Sequence, residues 1–253
     1  MALPIWVQAG LWGLLAGSAL VIGAAVGYFT RISHRTIAAV MAFGSGVLIS
    51  ALSFDLVEEA YERGGFIAAA LGFFIGACIF TAANWFLTYR GAAARKSSGQ
   101  QQPSEEEEHG SGLAIALGAL IDGIPEAIVI GVSMIASKTV SMVAVIAIFL
   151  SNIPEGLSSA AGMKKAGRSA AYIFGVWGGI AILNGVAAAL GNLFFSGFSD
   201  EIIAATMALA AGAILAMLVD TMIPEAFELA QNYAGIIAVT GFLAAFFLSK
   251  ISG

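Results

Sequence analysis

Charge is what this sequence has least of. Lys, Arg, Asp and Glu make up 11% of its 253 residues, where a soluble domain carries about 25%. With 59% hydrophobic residues, a mean hydropathy of +0.92 and several apolar runs of more than ~18 residues, that deficit predicts an all-α, multi-pass membrane protein. Cysteine is nearly absent too. Cys78 stands alone in an apolar run, which excludes a disulfide framework or a thiolate cluster. The net charge of −5 offers nothing to nucleic acid. No Gly-x-Gly-Asp, Ser/His or His-Glu-x-x-His signature appears, so no enzyme and no prosthetic group are expected. No basic residue precedes the first apolar run, which therefore reads as a span rather than a cleaved signal peptide.

The periodic apolar runs predict eight spans, at 5–29, 36–60, 64–89, 112–136, 139–163, 169–195, 201–229 and 233–250. Together they form one transmembrane domain. Only one connection is long, 90–111. It runs from Gly91 through Ser104 mostly in Gly, Ala, Ser and Gln, with Arg95, Lys96 and Pro103 among them, then carries Glu105 to Glu108 and His109. Such a composition predicts a disordered, solvated loop. Arg31, Arg35, Arg90, Arg95, Lys96, Lys164, Lys165 and Arg168 fall on one side of an eight-span layout, and Arg63, Lys138 and Lys250 on the other. The positive-inside rule then places the long loop in the cytosol and both termini outside; the expected location is a plasma (inner) membrane. His34, in the first cytosolic turn, reads as an interfacial residue.

The chain also repeats itself. Shifted by 166 residues, span 2 lies on span 7: Met41-Ala42 meets Met207-Ala208, Gly46 meets Gly212, and Glu59-Ala60-Tyr61-Glu62 meets Glu225-Ala226-Phe227-Glu228. Gly72-Phe73 in span 3 matches Gly241-Phe242 in span 8 after a three-residue slip. Spans 1–3 thus resemble spans 6–8 in opposite orientation. A 3+2+3 inverted-repeat arrangement follows, typical of transporters whose sites lie at the midplane.

Two segments carry the chemistry: Ile121-Asp122-Gly123-Ile124-Pro125-Glu126 and Ser151-Asn152-Ile153-Pro154-Glu155-Gly156. Asp122 and Glu126 stand one turn apart on one helix face, and Asn152 and Glu155 share another. A charge at the bilayer centre costs about 2.5–3.5 kcal/mol on the lenient scale. No Lys, Arg or His lies at comparable depth in any span, so the neutralising partner is expected from outside: protons, water or a cation. Pro125 and Pro154 leave the carbonyls of Ile121 and Leu150 without their helical donors, adding oxygen ligands. Ser151, Ser158 and Ser159 flank the second motif. Crowded acids in a dry setting hold protons when empty and exchange them for a divalent cation. Asp55, Glu58 and Glu59 would gather cations at the outer end of span 2. Asp220, Glu225 and Glu228 would receive them at the inner end of span 7. Ordinary interfacial acids are the plain alternative for several of these. Gly13, Gly17, Gly23, Gly27, Gly175, Gly178, Gly179 and Gly185 predict close helix packing.

Paired mid-membrane Pro-Glu motifs in helices 4 and 5 of eight resemble those of the ZIP (Zrt/Irt-like) divalent metal transporters, over essentially the whole chain. By position, the resemblance assigns Glu126 and Glu155 to the two bridging glutamates of a binuclear metal site and Asn152 to its Asn/Asp ligand. Asp122 and Gly123 stand where the family has His and Asn, Ser151 replaces a His/Gln, and Asn184 is the candidate for the helix-6 ligand. Zinc, iron or manganese would be the transported substrate, moved into the cytosol. A homodimer is implied as well. Glu59 and Glu225 complete the expected cation path. An almost all-oxygen ligand set predicts tolerance of harder ions, manganese or ferrous iron beside zinc. A non-transporting ZIP-like sensor or scaffold remains open, as does, more remotely, an intramembrane acid-dependent hydrolase.

Overall fold

A computed structural model of the chain describes residues 3–98, 102, 104, 107, 111–137 and 139–252. Among these residues all regular structure is helical. The helices are α1 (Ile5–Phe29), α2 (His34–Ala51), α3 (Val57–Leu87), α4 (Ser111–Ser137), α5 (Met142–Lys165), α6 (Ala170–Phe195), α7 (Asp200–Met217), α8 (Ile223–Ala230) and α9 (Ala234–Ser252). Three starts have a visible local cause. Ser33, Ser141 and Ser169 each accept a hydrogen bond from the backbone N–H three residues on, at Thr36, Ala144 and Tyr172. A serine in that place satisfies one of the donors that a helix leaves open at its N-terminus.

Among the described residues, seven helical stretches are long and apolar enough to cross a membrane: Ile5–Phe29, His34–Ala92, Leu113–Ile135, Met142–Lys165, Ala170–Phe195, Asp200–Glu228 and Gln231–Ile251. This is the build of a multi-pass membrane protein. The difference from the expected eight lies in His34–Ala92, whose 59 residues hold the second and third expected spans. The helical path inside it breaks at Gly65, with φ 72° and ψ 179°. Only glycine adopts that backbone without steric cost, and the break falls beside the boundary read from the sequence.

Packing follows the 166-residue match. Five-residue π-helical turns interrupt both long stretches, at Leu52–Leu56 and Leu218–Met222, with first residues 166 apart. Helix α2 packs on α9 and α5, while α7 packs on α3 and α4; α1 lies between α5 and α6. At the α2–α9 contact, a Cβ on Gly46 would strike the carbonyl of Ala238, and one on Gly241 that of Phe43. At the α7–α3 contact, Gly212 faces the carbonyl of Phe73, and Gly76 that of Leu209. Residues 43 and 46 reach 209 and 212 by a shift of 166; residues 73 and 76 reach 238 and 241 by a shift of 165. In packing, then, Gly76 rather than Gly72 corresponds to Gly241. The sequence pairing of Gly72 with Gly241 is one helical turn off, because small-residue runs align equally well a turn apart.

The glycines of α1 pack as expected: Gly13 and Gly17 lie against Asn184, Ala188 and Ala181 of α6, and Gly23 and Gly27 against Ile153 and Leu157 of α5. Those of α6 divide. Gly185 meets Gly10 and Leu14, but Gly175, Gly178 and Gly179 have no neighbour within 4 Å. Among the described residues a side chain at these three positions would meet open space, so the close packing expected there is not made. Large apolar side chains such as Phe66, Phe74 and Trp85 on α3 and Ile236 and Phe247 on α9 are exposed, whereas α5 is buried along most of its length.

Candidate functional site

Asp122 and Glu126 on α4, with Asn152 and Glu155 on α5, are all buried. Each pair sits beside a helix-interior proline, Pro125 or Pro154. Glu126 lies within electrostatic reach of Glu155, Lys96 and Asp122, so the three carboxylates share one dry region. The structure brings together Asp122, Glu126 and Glu155 as the sequence predicts. Asn152 turns away from them: its Nδ2 donates to the carbonyl of Ala16 on α1, at 3.1 Å. Ser151 donates to Ile148 within its own helix at 2.9 Å. Asn184 on α6 does approach α4. A Cβ on Gly123 would stand 2.8 Å from its Oδ1, so glycine leaves the room that this side chain takes.

The neutralising partner was expected from outside the protein, and this is the main correction. It comes from the chain itself. Arg95 donates from Nε and Nη2 to the two oxygens of Asp122, at 2.9 Å each, in a fork-to-fork pair. Its Nη1 donates to Asn84 Oδ1 at 2.8 Å. Lys96 Nζ donates to Glu155 Oε2 at 3.0 Å and lies 3.3 Å from Asp122 Oδ2. Both basic side chains are buried, at 2% and 3% exposure. Burying unpaired charge is prohibitive, whereas pairing with hydrogen-bonded geometry makes it tolerable.

The residues that carry these cations belong to the connection expected to be solvated. Instead, residues 95–98 are buried. The chain turns at Gly91, whose φ of 90° requires glycine, at the end of a π-helical turn, Thr88–Ala92. It then enters the bundle. Ser98 donates from N and Oγ to Glu225 Oε1, at 2.8 and 3.1 Å. His34 Nδ1 lies 3.1 Å from Ser98 Oγ, and Lys165 Nζ donates to the Ser98 carbonyl at 2.9 Å. Lys165 also contacts His34 Nε2, so the network is satisfied with the His34 proton assigned to Nδ1. His34 is thus a partner of the inserted segment rather than a plain interfacial residue. Ser158 donates to the Lys96 carbonyl. Gln102 Nε2 bridges the carbonyls of Arg95, Ser97 and Ser159, at 2.9–3.2 Å. Of the acidic run, only Glu107 is described; it accepts from the backbone N–H of Ser104 at 2.8 Å, a bond that holds its carboxyl below the usual range. Glu105, Glu106, Glu108, His109 and Lys138 lie outside the described residues.

One acid in the trio is left over. Both carboxylate oxygens of Glu126 are buried with no hydrogen-bond partner among the described residues, as is Oδ1 of Asn184. Native interiors rarely leave such groups open without a functional reason. In this arrangement, and among the described residues, no three His, Cys, Asp or Glu side chains stand where one metal ion would be held. Three of the acids expected at the mouths have polar partners outside the trio. Glu59 pairs with Arg63 on its own helix at 2.7 Å. Asp55 accepts from Ser249 at 3.3 Å. Asp220 accepts from Asn84 Nδ2 at 3.5 Å, which links it through Asn84 to Arg95.

Sequence reasoning missed Arg95, Lys96, Ser98, Asn84 and Gln102. A signal for the first two was present. Three carboxylates in spans without a basic partner demand one, and the nearest candidates stand only a short Gly-Ala linker beyond span 3. Compared with known proteins, the chain matches no family model and no curated protein.

Proposed function

We propose that this protein carries divalent transition-metal cations, of the zinc, iron and manganese class, across a membrane through the Asp122, Glu126 and Glu155 site. The observation that carries the reading is the origin of the charges there. The acids stand on the two central proline-bearing helices, while the cations that neutralise them come from a connecting segment. With the acids on the helices and their cations on a connecting segment, a movement of that segment alone would free the carboxylates for another cation. Metal-holding geometry would arise when Arg95 and Lys96 withdraw and Glu126, now without a partner, joins Glu155 and Asp122. The oxygen-only donor set suits manganese or ferrous iron as well as zinc.

The reading includes the finer architecture. A helix of 59 residues would run about 90 Å, three times the hydrocarbon core, so we read His34–Ala92 as two crossings hinged at Gly65. Eight crossings in a 3+2+3 inverted arrangement result. The π-turns 166 residues apart and the reciprocal α2–α9 and α7–α3 contacts support it, as does the likeness to ZIP transporters. The positive-inside count then puts the inserted segment on the cytosolic side and both termini outside.

Uptake of radiolabelled manganese, iron and zinc into proteoliposomes tests the reading. The wild-type protein is expected to accumulate them, and a Glu126→Ala/Glu155→Ala variant to lose uptake. Equal uptake by the two would defeat it. A second reading has one specific support. The ion pairs are complete within the chain, as they would be in a non-transporting sensor or scaffold; metal binding without uptake would select that reading.

A further inference from the structure

We propose that Arg95 and Lys96 act as a tethered counter-cation, a built-in competitor that any transported ion must displace and that thereby sets which ions enter. The inference rests on the cation-transport reading of the site. Its basis is a match of charge and position. Two side-chain cations meet Asp122 and Glu155, the pair with oxygens hydrogen-bonded to them. A divalent ion brings as much charge as both side chains together. A sodium or potassium ion brings half, and would leave one buried carboxylate uncompensated. The competitor therefore works as a charge threshold that favours divalent ions over the far more abundant monovalent ones.

The segment is built to leave. Over the described residues 93–98 it has no regular helix, only turns and bends, so withdrawal of these residues breaks no helical ladder. Gly118 on α4 makes room for it; a Cβ there would overlap the Arg95 side chain. Its far end is held by Glu225, through the backbone and hydroxyl of Ser98. Glu225 is also the acid expected to receive an ion at the inner mouth. A cation that reaches Glu225 competes with Ser98 for Oε1, so arrival at the exit loosens the latch. The segment and the ion thus exclude each other at two points, the carboxylate trio and Glu225.

The test uses the full chain with a thiol reporter. Cys78, which is exposed, is removed as Cys78→Ser, and Ser97→Cys places one thiol in the buried segment. Maleimide labelling is timed in proteoliposomes with manganese chloride, or with sodium chloride at matched ionic strength. The thiol is expected to be protected in sodium, and to label faster by about tenfold or more with manganese, as an opening equilibrium predicts. Adding Arg95→Gln/Lys96→Gln should give fast labelling without any metal. In uptake assays without the reporter, the same double substitution should lower the manganese concentration at half-maximal rate and admit competition by sodium. Labelling rates indifferent to both manganese and the double substitution would overturn the proposal, whether or not uptake occurs. Manganese-dependent labelling without uptake by any variant would uphold the competitor and sink the transport reading instead. The manganese response needs no change at Arg95 or Lys96, so it stands even where the double variant folds poorly.

Discussion

Glu59 and Glu225 occupy the same place in the internal repeat, three residues beyond a π-helical turn, and have opposite fates. Glu59 is partly exposed and pairs with Arg63, one turn along its own helix. Glu225 is buried and holds a strand from elsewhere in the chain through Ser98. The cause is not in the repeat. The residue 166 beyond Arg63 is Leu229, so Glu225 has no basic neighbour on its helix. The connection that carries Arg95 to Ser98 leaves α3 and reaches Glu225, not Glu59. The repeat decides where an acid stands; the connection decides what occupies it.

The sharpest break of this comparison is a pair of double-mutant cycles. Arg95 and Asp122 form a buried, two-point ion pair, and stranding one partner of such a pair costs about 3–5 kcal/mol. Asp122→Ala and Arg95→Ala should each destabilise the protein, and the double variant should lose far less than their sum. Denaturation in detergent micelles would measure the coupling. The same cycle at Glu59 and Arg63 should give a coupling below about 1 kcal/mol, the usual value for exposed pairs. Equal couplings at the two sites would remove the asymmetry.

Next in size is a test of the likeness between the halves. Gly46 and Gly212 each press on a backbone carbonyl of a neighbouring helix. Neither carbonyl can move without its helix, so Gly46→Ala and Gly212→Ala should each cost about 1–3 kcal/mol by overpacking. Gly178→Ala, with open space around it, should be neutral or slightly stabilising, since alanine favours the helix by up to about 1 kcal/mol. Thermal unfolding of the three variants checks both the symmetry and the corrected role of the α6 glycines.

These contrasts show what the residues alone could reveal. The apolar runs and the 166-residue shift were legible because each is a pattern written along the sequence itself. The meeting of Asp122, Glu126 and Glu155 was legible because charge in an apolar run demands company. The origin of that company was not. Arg95 and Lys96 sit in a stretch of Gly, Ala, Ser and Gln with no periodicity, and such composition describes a solvated loop unless the bundle offers counter-charges. Their burial is decided chiefly by Asp122 and Glu155, which lie 27 and 59 residues further along the chain. The register of the third and last spans slipped for a related reason: glycine and alanine runs fix a helix face but not which turn of it.

A smaller effect is expected at the latch. Glu225→Gln keeps the shape and an acceptor oxygen for Ser98 but removes the charge that strengthens both hydrogen bonds. A loss of about 1–2 kcal/mol follows, since bonds to charged groups exceed neutral ones by roughly that amount. Local hydrogen exchange of residues 93–98 should rise while that of α5 stays unchanged. An unchanged rate at Ser98 would mean that Glu225 does not hold the segment, and that Glu225 resembles Glu59 after all.

The smallest effect belongs to Glu59. Its partner is one turn away and both are in reach of solvent, so Glu59→Gln should change stability by less than about 1 kcal/mol. Its role, if it gathers ions, is kinetic. Glu59→Lys should raise the metal concentration at half-maximal uptake and leave the maximal rate alone, because a mouth charge steers encounter without touching the buried trio. Arg63→Gln should do the reverse, since it frees the Glu59 charge that the guanidinium now offsets. Both shifts should shrink as salt rises, over the range in which the Debye length falls from about 30 Å to about 8 Å. If neither substitution moves half-saturation at low salt, Glu59 is an interfacial acid and the outer half of the repeat has kept its geometry without the task.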